Sequence, residues 1–144
     1  MKIMVINGVN LNFVGIREKN IYGDKSFESL CNGIKEYAEQ KGVEVTLFQS
    51  NCEGEIVDAL QRAYFEGYDG VIINPGAYTH YSYAIYDAIK SISIPCIEVH
   101  MSNVHSREDF RKIGVTTAAC KGQISGFGEN SYKLAIDALT EYVK

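Results

Sequence analysis

Prolines and low-complexity segments are scarce in this sequence, and their scarcity limits how the chain can be organised. Only two prolines occur among 144 residues, and no charged block or biased segment marks a linker or a disordered tail. The length and the 46% of apolar residues are sufficient for one globular core. The sequence therefore predicts a single domain over residues 1–144.

Long hydrophobic runs are also missing. The apolar run at the start of the chain is too short for a membrane-spanning helix, and Asn7 and Gly8 interrupt it before any signal-peptide pattern. The cysteines contain no CxxC pair and are interpreted as reduced thiols; they are Cys31, Cys52, Cys96 and Cys120. These features predict a cytoplasmic protein without a membrane partner.

Several ligand-binding signatures are absent. The net charge of −4 gives no support to nucleic-acid binding, and a small anionic substrate would need a local cluster of donors. His80, His100 and His105 lack zinc-ligand spacing. No GxGxxG, P-loop or GxSxG motif occurs. We therefore expect neither a metal nor a nucleotide cofactor, and no serine-hydrolase chemistry.

Short apolar runs alternate with helical patterns along the chain. The continuous run at residues 3–6 predicts a strand buried on both faces. Further runs predict strands at residues 43–48, 71–73, 94–99 and 123–127. The helical patterns cover residues 27–38, 56–63, 81–91 and 132–143. Ser26 is the predicted N-cap of the first helix, and Gly42 and Gly67 are predicted helix stops. The alternation implies five β-α units, hence a parallel sheet with helices on both faces.

The strand ends identify a candidate site. With the strand order 2-1-3-4-5, a ligand is expected beyond the carboxyl ends of the strands, between strands 1 and 3. Polar residues accumulate at three of these ends, in NGVNLN (7–12), NPGAYTH (74–80) and EVHMSNVHSRED (98–109), and not at the opposite ends. The sequence therefore predicts an active site near Asn10, Asn74 and His100.

Glu98 and His100 lie two positions apart, so their side chains point to the same side of a strand. Glu98 is expected to orient the imidazole and to favour its protonated form, which suits a general acid. A strand-end histidine bonded to nearby backbone would give the same pattern. The neighbouring Asn74 and Ser102 favour the functional interpretation.

The segment 15–23 follows strand 1; it is polar and bracketed by glycines, which is typical of a mobile loop. Within it, the guanidinium of Arg17 would lower the pKa of the Tyr22 phenol, ordinarily about 10, and so prepare a base. Ten tyrosines occur in the chain, and most of them must be packing or surface residues. A structural role for Tyr22 therefore stays open.

Three further residues near the strand ends have two interpretations each. Arg107 and Arg111 are either solvated helix charges or donors for a carboxylate or for vicinal hydroxyls. His80 is either a substrate contact or a hydrogen bond at a helix entry.

Six segments together resemble the type II 3-dehydroquinate dehydratases (type II dehydroquinases) along nearly the whole chain. They are NGVNLN (7–12), Arg17 to Gly23, Gln49 to Glu55, Ile73 to Ile89, Ile97 to Arg111 and KGQISGFG (121–128). The resemblance implies a flavodoxin-like three-layer α/β sandwich with a five-stranded parallel sheet, and an enzyme without metal or cofactor. It further implies dehydration of 3-dehydroquinate to 3-dehydroshikimate, in the shikimate pathway or in quinate breakdown, by a homododecamer built from trimers.

The resemblance also assigns roles to residues. It makes Tyr22 the base that removes a proton from C2 to form an enolate, and His100 the acid that protonates the departing hydroxyl. Arg17 would activate Tyr22, and Asn10 would stabilise the enolate through a bound water. Six residues would contact the substrate, Asp87 in a neighbouring subunit's site; they are Asn74, His80, Asp87, Met101, Ser102 and Arg111.

This sequence departs from the family pattern at three positions. Proline is usual at Val9 and Lys19, and histidine at Cys52. Proline fixes φ, so valine is expected to loosen the turn that carries Asn10, although none of the three positions is assigned to catalysis.

Two rival interpretations stay open. One is a flavin-binding or signalling module on the same fold, and the other is a catalytically inactive homologue. A flavin module would need a Ser/Thr-rich phosphate loop after strand 1, and a phosphoacceptor domain would need an acidic cluster there. This chain has asparagines at that position.

Overall fold

The computed structural model describes residues 1–16, 20 and 25–144, and a parallel sheet of five strands organises them. The strands are β1 (Lys2–Asn7), β2 (Glu44–Gln49), β3 (Gly70–Asn74), β4 (Cys96–His100) and β5 (Gly122–Ser125). Each neighbouring pair is parallel, and the order is β2-β1-β3-β4-β5. The predicted strand order 2-1-3-4-5 is therefore confirmed.

Four α-helices connect or follow these strands in the described ranges. They are α1 (Phe27–Gln40), α2 (Glu53–Phe65), α3 (Tyr83–Ser91) and α4 (Asn130–Val143). The hydroxyl of Ser26 caps α1 by accepting the Ser29 amide, as predicted. Gly42 and Gly67 follow α1 and α2 with φ of +70° and +71°, which is the left-handed conformation that ends a helix. None of the described helices is long and apolar enough to cross a bilayer.

Two hydrophobic cores cover the two faces of the sheet. Ile3 and Val5 point to the face on which α1 and α4 pack, whereas Met4 and Ile6 point to α2 and α3. Successive β1 residues alternate between the two cores because side chains alternate along a strand. The continuous apolar run of β1 thus belongs to a strand buried on both faces, and β3 and β4 are buried in the same way. The flavodoxin-like three-layer arrangement is confirmed.

Three details of the predicted secondary structure are wrong. Strand β4 begins at Cys96 rather than at residue 94; Pro95 precedes it and contributes only its carbonyl, to the Val71 amide. Strand β5 is shorter than predicted because Gly126, with φ of +99°, turns the chain after Ser125. Ala84, assigned to the apolar stripe of α3, is exposed.

The described connection from β4 to β5 lacks the α-helix that five β-α units would require. Its helical pieces are short 3-10 turns, at Val104–Ser106, Asp109–Lys112 and Thr116–Ala119. This irregular connection carries polar side chains to the carboxyl end of β4. It therefore shapes the site instead of covering the sheet.

Candidate active site

The carboxyl ends of β1 and β3 lie side by side, where the strand order reverses. Asn7 and Asn74 are the last register partners of these strands, and the Gly8 amide donates to the Asn74 carbonyl at 2.7 Å. A Cβ atom on Gly8 would lie 2.5 Å from the Pro75 carbonyl oxygen. Only glycine therefore allows the two chains to leave the sheet so close together.

A buried tyrosine from α4 fixes the two strand-end asparagines. The Tyr132 hydroxyl donates to Asn7 Oδ1 at 2.6 Å and accepts from Asn74 Nδ2 at 2.9 Å. Asn74 Oδ1 accepts the Gly76 amide at 3.1 Å. Both ends of the Asn74 amide are thus held, so this side chain presents a fixed polar edge to the adjoining pocket. Sequence patterns placed Tyr132 only at the start of a helix and missed this role.

Asn10 occupies a strained backbone position at the mouth of the pocket. Its φ of +68° is left-handed, a conformation in which asparagine is enriched over most other residues. The Asn10 amide donates to Asn51 Oδ1 at 2.9 Å, and Asn51 is held in turn by Gln49 Nε2 at 3.2 Å. These contacts anchor the backbone and leave the exposed Asn10 side chain available for a ligand.

Glu98 and His100 form a buried charge pair at the end of β4. His100 Nε2 lies 3.3 Å from Glu98 Oε1, close enough for an ion pair, but without the alignment of a hydrogen bond. The Glu98 carboxylate is fully buried. Burial raises its pKa, but His100 and the hydroxyls of Thr117 and Thr79 outweigh this effect and hold the pKa of Glu98 below its ordinary value of 4.5.

One pocket at this edge of the sheet gathers most of the predicted site residues. Those that line it are Asn10, Asn74, His80, His100, Met101, Ser102 and Arg111. They come from the segments that follow β1, β3 and β4. The pocket thus combines amide, hydroxyl, imidazole and guanidinium groups, a set that suits an oxygen-rich anionic ligand.

His80 and Arg111 are both held by the β4–β5 connection. His80 Nδ1 lies 2.7 Å from the Ile113 carbonyl, so this nitrogen carries a proton and Nε2 is the one left for other partners. The Arg111 guanidinium donates to Glu108 and lies 4.8 Å from the centre of the Phe110 ring. Arg111, through its ion-pair hydrogen bond, lowers the pKa of Glu108. The local hydrogen bond proposed for His80 and its place in the pocket are therefore both present.

The other predicted residues lie elsewhere. Glu98 packs behind His100 and does not line the pocket. Asp87 is exposed on α3 and does not line the pocket of its own chain. Arg17 and Tyr22 lie outside the described residues.

Within residues 1–16, 20 and 25–144, no group of three or more His, Cys, Asp or Glu side chains is placed to hold a metal ion. The four cysteines are free thiols.

Comparison with known proteins identifies the family. The model of dehydroquinase class II matches residues 1–140. A 3-dehydroquinate dehydratase from Clostridium beijerinckii is 71% identical over 139 residues, which cover 96% of this chain and 95% of that protein. The chain belongs to the class II dehydroquinase family.

Solved structures of dehydroquinases have the same fold. The type II dehydroquinase from Butyrivibrio crossotus superposes on this chain with a TM-score of 0.96 at 61% identity and covers 97% of both chains. The enzyme from Propionibacterium acnes superposes with a TM-score of 0.91 at 37% identity, over 99% of this chain and 95% of that chain.

Two of the departures from the family pattern can be placed in the structure. Val9 lines the pocket, next to the anchored Asn10. Cys52 is exposed and precedes α2 without a capping bond from its side chain. Lys19 lies outside the described residues.

Arg107 is a pocket residue whose role the sequence left undecided. It lines the pocket, and its Nη1 donates to Ser102 Oγ at 3.4 Å. Its side chain is half-buried, so it is not a solvated helix charge. One feature of the sequence could have indicated this role: Arg107 lies in the same polar segment as Arg111, after the strand that ends at the candidate site.

Proposed function

We propose that this chain dehydrates 3-dehydroquinate to 3-dehydroshikimate. The observation that carries the proposal is the buried Glu98–His100 pair, which lies at the edge of a pocket of amides and guanidinium groups. Its relatives bearing the name 3-dehydroquinate dehydratase support the choice of substrate.

Loss of water next to a ketone needs a base, an acid and donors for the enolate that forms between the two proton transfers. Tyr22 removes the proton from C2, and the guanidinium of Arg17 favours its phenolate form. Negative charge then develops on the carbonyl oxygen. Asn10 stabilises this enolate through a water molecule, and its anchored backbone keeps the amide in place.

His100 completes the reaction by protonating the departing hydroxyl. Nε2, the ring nitrogen that faces Glu98, lies within ion-pair distance of the carboxylate, so we assign delivery of the proton to Nδ1. The negative charge of Glu98 stabilises the imidazolium that exists before this transfer. Removal of the hydroxyl as water leaves the enone product.

Substrate binding uses the remaining pocket residues. Arg111 and His80 offer donors for the carboxylate or hydroxyls of the substrate. Asn74 and Ser102 offer uncharged hydrogen-bonding groups. Met101 contributes an apolar surface beside them. The active form is a homododecamer built from trimers, in which Asp87 reaches the site of a neighbouring subunit.

The assay follows enone absorbance when the purified protein meets 3-dehydroquinate. We expect turnover that persists in the presence of a chelator, because acid–base groups supply the chemistry. His100→Asn should lower kcat by ~10²–10⁴-fold, the usual contribution of a general acid. Asp58→Asn is the control, because Asp58 is exposed on α2 and lies outside this pocket.

No enone formation by the wild-type protein would refute the proposed function. Activity that disappeared with the chelator and returned with a divalent ion would refute the metal-independent mechanism. The pathway, biosynthetic or degradative, is decided by the growth phenotype of a strain that lacks the protein.

A further inference from the structure

Three threonine side chains surround the carboxylate of Glu98. Thr79 and Thr116 donate to Oε1 at 2.6 and 2.7 Å, and Thr117 donates to Oε2. Thr79 and Thr116 are themselves buried, with at most 2% of their surface exposed. We name these three residues the threonine cage. None of the sequence motifs of the site pointed to it.

The proton count of the threonine cage fits an ionised carboxylate. Each hydroxyl carries one proton, and an ionised carboxylate is purely an acceptor. Gln123 Nε2 donates to the Thr117 oxygen at 3.4 Å, which leaves the Thr117 proton for Glu98. The Thr116 and Thr79 oxygens also lie 3.0 Å apart. An ionised Glu98, which can only accept, favours the arrangement in which all three hydroxyl protons point to the carboxylate. The lowered pKa of Glu98 agrees with this count.

The backbone around the threonine cage is arranged to hold it. Thr79 ends the segment after β3, and Thr116 and Thr117 lie in the turn before β5. The Val115 amide donates to the Thr79 carbonyl at 2.7 Å, which ties the two segments together. A Cβ atom on Gly114 would overlap the Thr117 hydroxyl, so glycine is needed at that position for the hydroxyl to reach Glu98.

We propose that Thr79, Thr116 and Thr117 are positioning residues that keep Glu98 ionised and aligned with His100 during the reaction. The inference rests on the proposed function, which it deepens. A fixed negative charge beside the imidazole stabilises its protonated form, and the filled hydrogen-bond positions prevent Glu98 from taking that proton itself. The proton therefore stays on His100, available for the departing hydroxyl.

Other titratable groups also lie near this carboxylate. His100 faces it from the same strand, and the buried thiol of Cys96 is a further neighbour whose pKa is raised well above its ordinary value, first by its contact with Cys120 and by burial. A space lined by Thr79 and Thr117 is also lined by the titratable side chains of His80, His105, Arg111 and Lys112. A measurement must therefore report on Glu98 itself rather than on pH dependence alone.

The test compares Thr116→Val, which removes one hydroxyl at nearly constant volume, with Thr116→Ser, which retains it. Carbon-13 NMR of glutamate-labelled protein gives the carboxyl pKa of Glu98, with Glu98→Gln to assign the resonance. We expect Thr116→Val to shift this pKa upward and to lower kcat by ~10–100-fold with little change in KM, as expected when one hydrogen bond to a charged group is lost. Thr116→Ser should retain both properties.

Thr46→Val is the matched control, because it also removes a threonine hydroxyl that holds a hydrogen bond, from Tyr68 at 2.9 Å, away from the site. If Thr116→Val does not fold, Thr117→Val serves instead, since Thr117 lies on a partly exposed turn. An unshifted Glu98 pKa, or a kcat as high as that of Thr46→Val, would overturn the proposal.

The carboxyl titration needs no substrate, so it separates the two proposals. A wild-type protein that forms no enone would refute the proposed function, whereas the titration alone would still decide whether the threonine cage keeps Glu98 ionised.

Discussion

Glu98 links the stability of the protein to pH because its charge is buried and its pKa is lowered on folding. A carboxyl group with a native pKa below its unfolded value stabilises the fold at pH values above the unfolded pKa. That contribution is lost as the pH falls through the native pKa. The relevant window therefore begins near the ordinary value of 4.5 and extends downward.

We predict that the free energy of unfolding decreases less steeply with acidification in Glu98→Gln than in the wild-type protein. Urea unfolding at about pH 7 and about pH 4, at one protein concentration, measures this difference. Glu44→Gln is the control, because Glu44 is exposed at the start of β2. Identical pH dependence in Glu98→Gln and the wild type would show that Glu98 is not the group responsible.

Tyr22 is the side chain to which the mechanism assigns the first proton transfer. We predict that Tyr22→Phe lowers kcat by ~10²–10⁴-fold and leaves KM nearly unchanged, because only the proton acceptor is removed. Steady-state kinetics measure the effect, with Tyr64→Phe, an exposed tyrosine on α2, as control. A Tyr22→Phe enzyme that kept most of its kcat would exclude Tyr22 as the base.

Regular secondary structure was more predictable than the connections between strands. Helical periodicity and the Ser26 cap located α1. Continuous apolar runs located β1 and β3, because a strand that is buried on both faces consists almost entirely of apolar residues. The β4–β5 connection lacks any such period, so its 3-10 turns could not be foreseen. Arg107 and the threonine cage lie on or against that connection, and their roles depend on contacts between distant segments that no local pattern encodes.

The turn after β1 gives a test of how backbone geometry supports the site. We predict that Gly8→Ala destabilises the protein by about 1–3 kcal/mol, because the new Cβ would clash with the Pro75 backbone. No side-chain rotation can relieve a clash with backbone atoms. Displacement of the Asn10 and Asn74 segments should also lower kcat/KM. Chemical unfolding and steady-state kinetics measure the two effects.

Gly54→Ala provides the contrasting helix variant. Gly54 lies in α2, and its Cβ would meet no atom within 4 Å. Alanine there should stabilise the protein by up to about 1 kcal/mol, because it favours the helix more than glycine does. Equal stability changes in the two variants would contradict the role assigned to the Gly8 contact.

The chain carries a net charge of −4, yet its pocket collects cationic and hydrogen-bonding side chains. His80, His100, Arg107 and Arg111 line the same space. These local donors counteract the negative electrostatic potential of the whole chain, which would otherwise repel an anion. Binding of a small carboxylate requires such a local excess of donors. The long-range attraction of the substrate is weak in this arrangement, so binding depends on close contacts within the pocket.

Asp87 belongs to this pocket only if more than one chain contributes to it. It is exposed on α3 and does not line the pocket of its own chain. Tyr81 and Tyr83 lie near the start of the same helix with 59% and 72% of their surface exposed, an apolar surface suited to burial between subunits. We therefore predict a homo-oligomer larger than a dimer, which light scattering of the active protein measures.

Mixed oligomers test whether Asp87 acts in a neighbouring site. Asp87→Asn and His100→Asn should each be impaired alone, but oligomers co-expressed from both variants should regain activity. A site with His100 from one chain and Asp87 from its neighbour is then intact, whereas no single chain carries both residues. Asp58→Asn, at an exposed position on α2, should be fully active alone. Mixed oligomers no more active than the two variants measured separately would place Asp87 outside any shared site, and an active monomer would exclude the arrangement altogether.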